Sequence, residues 1–189
     1  MNSGSAKGRV CRTRSSERNL LEPGPTRVLA LVNRQHCRGL DLRVLRRITN
    51  ALLNEMSREK DYDLTLCLVT AAEITRLNET FLQHQGMTDV ISFDYSESGK
   101  SQNLFGELFI CVEQAVSQAR QYGTSWQSEV VRYIVHGLLH LCGFDDVTSN
   151  CRRKMKRAED KVLRRLESRF DFKALGRRSS RFALSKGAC

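Results

Sequence analysis

The sequence predicts a single α+β domain in which helices cover one mixed, four-stranded sheet. Three observations support this prediction: four short apolar runs that favour strands, five stretches with apolar residues at helical spacing, and the order in which the two kinds follow each other. The chain has 189 residues, 40% hydrophobic and 28% charged, which is typical of a soluble domain with its own core. No apolar run approaches the roughly 20 residues that a membrane-spanning helix requires, and none near the N-terminus resembles a secretory signal.

The first half of the domain alternates strands and helices. Val28–Val32 is a short apolar run and predicts the first strand. Asp41 is placed to cap the helix that follows. The apolar face of that helix comprises Leu42, Leu45, Ile48, Leu52 and Met56. Asp63–Val69 is apolar and β-prone and predicts the second strand, and Ala71–Phe81 predicts the second helix.

The next segment predicts a pair of strands and a helix. Val90–Phe93 and Leu104–Cys111 are the two strands, separated by the turn-like segment Ser96–Asn103. A helix then stops at Gly123, a residue type that commonly ends helices. Its apolar positions are Val112, Ala115, Ala119 and Tyr122.

Two further helices complete the prediction. The first can be capped by Thr124 or Ser125 and ends at Gly143. Its apolar positions include Trp126, Val130, Ile134 and Leu138. The second begins at about Ser149. It shows one apolar stripe, formed by Met155, Ala158, Val162 and Leu166.

The positive charge of the chain is concentrated at its two ends. Of the net charge of +10, residues 1–27 carry +4 and residues 168–189 carry +5, which leaves a nearly neutral domain over 28–167. The sequence therefore predicts a flexible basic N-terminal extension and a basic C-terminal tail. Basic tails favour a polyanionic partner such as nucleic acid, although two solvated ends are an equal alternative. An organellar transit peptide is the other interpretation of residues 1–27, and Glu17 and Glu22 argue against it.

The seven cysteines favour reduced thiols. They are far apart, form no CxxC pair and are odd in number, which argues against a disulfide framework or a cysteine-rich zinc module. A reducing compartment such as the cytoplasm is therefore expected.

The most informative segment runs from His136 to Asp146 and has the sequence HGLLHLCGFDD. Histidines at positions i and i+4 of a helix project from one face, so His136 and His140 can reach one ion at about 2.0–2.1 Å. Gly143 then ends the helix, because glycine tolerates the left-handed conformation that reverses the chain. The reversal returns Asp145 and Asp146 towards the histidines, and either carboxylate can be a third ligand. Three protein ligands leave a position open for water, as in catalytic zinc sites.

Two other interpretations compete with a catalytic metal centre of this kind. A lone HxxxH pair is often only two polar surface residues, but here the helix is otherwise apolar, so unpaired rings would be costly. The spacing also matches zinc peptidases with an HExxHxxGxxH motif, in which the glutamate is the general base. Position 137 is Gly in this chain, so peptidase chemistry is not expected.

Three blocks in the same order resemble the YbeY family of single-strand-specific metallo-endoribonucleases. HGLLHLCGFDD is similar to the family's HGxLHLxGYDH. Leu77-Asn78 followed by TDVISF at Thr88–Phe93 resembles the family's LN…TDVLSF, and GELFI at Gly106–Ile110 resembles its GDIxI strand. The resemblance covers residues 28–167 and neither tail.

The resemblance implies a metal-dependent hydrolase that cuts RNA phosphodiester bonds, with one Zn²⁺ ion per chain. It implies a cytoplasmic role in ribosomal RNA maturation, at the 3′ end of the small-subunit RNA, and in ribosome quality control. Ribosomal RNA or ribosomal subunits are then the partners, with no membrane and no DNA. The implied metal ligands are His136, His140 and, by register with the family, Asp146. Asp145 then orients water or a ligand, and Thr88 and Asp89 either line the cleft or cap a strand.

Two positions depart from the family's pattern. Asp146 stands where the family has a histidine, which lowers the positive charge of the site and can shift its metal preference. Leu82 stands where the family has an arginine able to stabilise a bound phosphate. Arg76 is the residue that could take the role of this arginine. These departures leave a second function open: a ribosome-associated RNA-binding protein with a structural metal and weak catalysis.

Other polar residues allow two interpretations each. Ser92 and Glu107 can face the cleft or simply lie on a strand. The last helix carries eight basic residues that can follow an RNA backbone or form a solvated face. They are Arg152, Arg153, Lys154, Lys156, Arg157, Lys161, Arg164 and Arg165.

Overall fold

The computed structural model describes residues 26–57, 61–96 and 103–176. The described residues contain one sheet of four strands, in the order β1-β2-β4-β3. The strands are β1 (Arg27–Asn33), β2 (Tyr62–Val69), β3 (Val90–Asp94) and β4 (Leu104–Cys111). β1 and β4 each run parallel to β2, whereas β3 is antiparallel to β4 at the edge. The predicted mixed, four-stranded sheet is confirmed.

Five α-helices pack around this sheet, as predicted. They are α1 (Leu42–Ser57), α2 (Ala71–Leu77), α3 (Val112–Tyr122), α4 (Trp126–Leu141) and α5 (Ser149–Glu167). The predicted caps are also present: Asp41 Oδ1 accepts a hydrogen bond from the backbone N–H of Arg43 at 2.9 Å, and Ser125 Oγ accepts from that of Ser128 at 3.1 Å. Gly123 ends α3 with a φ of +68°, in the left-handed region expected for a helix-ending glycine.

The two faces of the sheet are covered differently. Side chains alternate along a strand, so Leu64, Leu66 and Leu68 of β2 lie on one face and Cys67 and Val69 on the other. The leucines belong to the main core with α1, α4 and α5. The opposite face forms a smaller cluster with Ile74 of α2. Helix α4 is thus held between the sheet and α5, with ten buried residues along its length.

Gly137 allows α4 to lie directly against the sheet. A Cβ atom at this position would lie 2.8 Å from Leu108 Cδ2 and 3.1 Å from both Ser92 Oγ and Val90 Cγ2. The position that carries the general base in zinc peptidases therefore faces the sheet here, and no space remains for a glutamate side chain.

Neighbouring atoms leave no room for a side chain at Gly106 of β4. Its replacement by alanine is therefore expected to destabilise the domain. The added Cβ would lie 2.5 Å from the backbone oxygen of Phe93 and 3.1 Å from Leu141. Backbone cannot rotate away as a side chain can, so we expect Gly106→Ala to lower the free energy of unfolding by about 1–3 kcal/mol. Urea denaturation measures this change. Ser117→Ala, at an exposed position of α3, should stay within about 0.5 kcal/mol of wild type, and equal stability of the two variants would contradict the prediction.

Two segments differ from the sequence prediction. The second helix was predicted to reach Phe81, but its regular part ends at Leu77 and continues as a π-helical turn over Asn78–Leu82, closed by Gln83 with a φ of 57°. At the other end, the fold continues beyond residue 167, where the sequence predicted a tail. Phe172–Gly176 form a 3₁₀ turn that buries Phe172 and Leu175. The remainder of that tail lies outside the described residues, as do residues 1–25 and most of the predicted Ser96–Asn103 turn.

No helix in the described part of the chain combines the length and the hydropathy needed to cross a lipid bilayer.

Candidate metal centre

The two histidines of α4 face each other across one helical turn. Their Nε2 atoms are 3.1 Å apart, and the rings meet edge to face with centroids 4.7 Å apart. Asp146 lies opposite them, with Oδ2 at 3.9 Å from His136 Nε2 and Oδ1 at 4.0 Å from His140 Nε2. Among the described residues, these three form a cluster whose donor atoms all lie within 4.8 Å of one another.

These separations fit one small cation. Zinc–nitrogen and zinc–oxygen bonds of about 2.0–2.1 Å in a tetrahedral arrangement place neighbouring donor atoms about 3.4 Å apart. The three observed separations, 3.1, 3.9 and 4.0 Å, lie on both sides of that value. The two longer separations both involve Asp146, and each exceeds the tetrahedral value by about 0.5 Å.

The hydrogen bonds of the two rings supply a second reason to expect a cation here. His136 Nδ1 lies 3.3 Å from Glu159 Oε2, and His140 Nδ1 lies 3.1 Å from the carbonyl oxygen of Phe144. Both partners only accept, so Nδ1 of each ring carries a hydrogen and Nε2 is the ring atom that can bind a metal. The two Nε2 atoms face each other at 3.1 Å, an arrangement that a cation between them would stabilise.

Glu159 contacts the candidate centre, and the sequence analysis did not identify it. It is 6% exposed and lies on the buried face of α5, where it contacts His136 and accepts a hydrogen bond from Arg132 Nη1 at 2.7 Å. Burial alone would raise the pKa of this carboxyl, but the hydrogen bonds from His136 and Arg132 outweigh it and lower the pKa to about 2. Glu159 is therefore an anion that holds the His136 ring in one orientation and tautomer.

The same contact acts on the histidine. The hydrogen bond to Glu159 raises the pKa of His136, in opposition to burial, and the charges of Glu159, Asp89 and Asp146 add to the rise. A signal for Glu159 was available in the sequence. It is an acidic residue on the apolar stripe of a helix that carries eight basic residues, four residues after Met155 and four before Leu163.

Arg132 connects the acidic groups next to the centre. It lies one helical turn before His136 and contacts Glu129 at 3.3 Å, Glu159 at 2.7 Å and Asp160 at 3.7 Å. One guanidinium thus compensates three carboxylates and binds Glu159 Oε1, while His136 faces Oε2 of the same carboxylate.

The loop after α4 places Asp146 opposite the two histidines. Gly143 has a φ of +84° and reverses the chain, as predicted. Asp145 Oδ1 accepts hydrogen bonds from the backbone N–H groups of Asp146 at 2.7 Å and Val147 at 3.1 Å. Asp145 therefore shapes the turn that presents Asp146, and it is not a member of the three-residue cluster.

Thr88 and Asp89 lie where the chain enters β3. Asp89 Oδ1 accepts hydrogen bonds from Thr88 Oγ1 at 3.2 Å and from the backbone N–H of Val90 at 2.9 Å. The carboxylate thus caps the strand, one of its two predicted roles. The charge of Asp89 also raises the pKa of His136, after the larger effects of Glu159 and of burial.

The other predicted candidates divide between the two faces of the sheet. Ser92 lies on the α4 face, where Ser92 Oγ donates to the carbonyl oxygen of Gly137 at 3.4 Å. Glu107 lies on the opposite face, next to the hydroxyl of Tyr95 at 3.3 Å, so it does not face the centre. Leu82 is 42% exposed at the end of the π-helical turn, and Arg76 is exposed on α2, the helix that covers the face opposite α4.

The fold and the centre together define a class: single-domain α+β proteins in which one helix of the core carries two histidines of a candidate two-histidine, one-carboxylate metal centre. The family model described as "Endoribonuclease YbeY" matches residues 32–167, which is more than half of the chain. The chain belongs to the YbeY family.

Curated relatives agree with this assignment. A protein of Finegoldia magna named Endoribonuclease YbeY is 33% identical over 116 residues, covering 61% of this chain and 75% of the relative. A protein of Chlorobaculum tepidum with the same name is 42% identical over 93 residues, covering 49% of this chain and 66% of the relative.

One solved structure shares the fold. The solution structure of TM1509 from Thermotoga maritima superposes with a TM-score of 0.56 over 75% of this chain and 91% of that protein. The two sequences are 21% identical, so this likeness concerns the fold alone.

Proposed function

We propose that the protein is a zinc-dependent, single-strand-specific endoribonuclease that acts in ribosomal RNA maturation, at the 3′ end of the small-subunit RNA, and in ribosome quality control. The observation that supports this proposal most strongly is the pair of His136 and His140 Nε2 atoms at 3.1 Å with the Asp146 carboxylate opposite them. The curated relatives are named endoribonucleases, and their names supply the substrate class, RNA. The proposal includes ribosomal RNA and ribosomal subunits as partners and a cytoplasmic location.

Each residue of the centre has a distinct part in this proposal. His136, His140 and Asp146 would hold one ion, and Glu159 and the Phe144 carbonyl keep both imidazoles oriented towards it. A bound divalent cation would supply an activated water and would neutralise charge on the phosphate oxygens. Asp146 in place of a histidine gives the site a donor set that zinc still accepts.

Three further residues would act on the substrate side. Asp89 is held by the Thr88 hydroxyl and the Val90 N–H, which leaves its Oδ2 to accept a proton from a water at the border of the centre. Asp145 keeps the Asp146 loop in its turn and can orient a water there. Asp145, Asp89 and Thr88 are the catalytic residues of this proposal.

A chelator experiment tests the proposed reaction. Purified full-length protein should cleave a single-stranded RNA, lose that activity in EDTA, and regain it when zinc is restored, while a duplex of the same sequence stays intact. Peptide-bond hydrolysis in place of RNA cleavage, or cleavage that persists in EDTA after extensive dialysis, would contradict the proposal.

A second function is favoured by one specific residue. Leu82 stands where the family has an arginine, and its exposed side chain cannot bind a phosphate. The alternative is a ribosome-associated RNA-binding protein whose metal is structural and whose catalysis is weak. Retained association with ribosomal subunits, without cleavage at any divalent metal tested, would select this alternative.

A further inference from the structure

The outer surface of α5 carries basic side chains that do not contribute to holding the fold together. Of the eight basic residues in this helix, three have partners: Lys156 contacts Glu159 and Asp160, Arg165 contacts Glu55, and Arg152 donates to the Val147 carbonyl. The other five make no ion pair or side-chain hydrogen bond with any described part of the chain, and all are exposed. They are Arg153, Lys154, Arg157, Lys161 and Arg164, and we call them the basic stripe.

The basic stripe lies on a single side of the helix. At 3.6 residues per turn its members fall within about 100° of the helix circumference and extend about 16 Å along the axis. The buried residues of α5, which include Met155, Glu159 and Leu163, lie on the opposite side. The stripe therefore faces away from the core.

The acidic residues of the same helix do not neutralise this side. Glu159 is buried against His136 and Arg132, and Asp160 contacts Lys156 at 2.9 Å and Arg132 at 3.7 Å. Glu167 is the last residue of the helix. The part of the helix circumference that holds the basic stripe consequently contains no acidic residue.

This arrangement of like charges lowers the stability of the helix, which indicates that the charges have a role other than stabilising the fold. Arg153 and Arg157, and Arg157 and Lys161, are like-charge pairs four residues apart, and such pairs destabilise a helix. The first turn of α5 contains no acidic residue, although the helix dipole favours negative charge there. An anionic partner would compensate both effects.

The position of the helix indicates what that partner is. Glu159 fixes α5 directly to His136, so the basic stripe has a constant position relative to the candidate metal centre. Its length of about 16 Å spans several phosphates at the roughly 3.4 Å charge spacing of one nucleic-acid strand. No aromatic side chain interrupts it, so it can bind a backbone without selecting bases.

We propose that the basic stripe of α5 is a binding surface for the phosphate backbone of single-stranded RNA, separate from the metal centre and responsible for much of the affinity for the substrate. This inference rests on the proposed function, because it assigns RNA as the partner. It predicts binding that depends on salt and not on metal.

The test compares two triple variants of the full-length chain with equal changes in charge. The first is Arg153→Gln, Arg157→Gln and Lys161→Gln in the basic stripe. The matched control is Arg43→Gln, Arg47→Gln and Arg120→Gln, three exposed arginines on α1 and α3. Binding of fluorescent polyuridylate is measured by anisotropy in EDTA over a series of salt concentrations, so that cleavage does not interfere.

The stripe variant should bind at least tenfold more weakly at moderate salt. The magnitude of the slope of log affinity against log salt concentration should fall by about 2, because each of the three lost phosphate contacts contributes roughly 0.7. The control variant should change affinity less than threefold. Equal losses in both variants, or no loss in the stripe variant, would overturn the proposal. So would polyglutamate that binds the stripe more tightly than polyuridylate of equal length at the same salt concentration, since this would assign the surface to an acidic protein.

A cleavage measurement separates this inference from the proposed function. If the wild type cleaves RNA and the stripe variant binds and cleaves equally well, the stripe proposal fails alone. If binding depends on the stripe but zinc-loaded wild type does not cleave RNA, the proposed endoribonuclease activity fails alone.

Discussion

Replacing both His136 and His140 with alanine is expected to abolish RNA cleavage, with a fall on the order of 10³-fold or more. The two imidazoles supply two of the three candidate ligands, and Asp146 alone cannot hold a divalent ion against water. Loss of the ion removes both the activated water and the charge that offsets the phosphate oxygens, each worth several kcal/mol of barrier. Initial rates of cleavage of a single-stranded RNA at saturating zinc measure this effect.

The chain offers a matched control for this double variant. Its other two histidines, His36 and His84, are both exposed and lie outside the candidate centre. His36→Ala with His84→Ala should therefore retain the wild-type rate. Cleavage by a folded His136/His140 double variant within tenfold of wild type would rule out the metal centre as the site of the reaction.

Glu159→Gln is expected to weaken zinc binding by about 10–100-fold while the protein stays folded. The glutamine has the same size and its amide oxygen can still accept from Arg132, but the negative charge that orients and polarises His136 is lost. A competition titration against a chromophoric zinc chelator measures the change.

Asp160→Asn is the control for this prediction. Asp160 is the adjacent acidic residue and is likewise joined to Arg132 and Lys156, but it does not contact His136. Its replacement should leave zinc affinity within about threefold of wild type. Equal affinities for Glu159→Gln and Asp160→Asn would show that Glu159 does not position the ligand.

The sequence predicted the parts of the centre that are local in the chain. The four-residue spacing of the histidines and the reversal at Gly143 are properties of one helix and its end, so periodicity and residue type were sufficient. The contact of Glu159 with His136 could not be predicted in the same way. Glu159 lies 23 residues from His136, and its contact depends on how α5 packs against α4.

The fold, too, was predicted where neighbouring residues determine it and was not predicted where tertiary packing determines it. Apolar runs and caps predicted the strands and most helix ends, because these are set within a few residues. The π-helical turn at Asn78–Leu82 continues the helical pattern of α2 and is not distinguished from it by periodicity. Phe172 and Leu175 stand in a short basic segment without periodicity, and their burial depends on the packing of this segment against α1 and α4.

Elemental analysis of the purified full-length protein, wild type beside Asp146→Ala, tests the metal centre most directly. Asp146 is the third member of the cluster, at 3.9 and 4.0 Å from the two Nε2 atoms. We predict about one zinc ion for each wild-type chain, from the three ligands and an open position, and a clear loss of zinc in Asp146→Ala that Asp146→His restores. A wild-type protein without metal, or equal metal content in wild type and Asp146→Ala, would contradict the assignment of these three residues as the ligands.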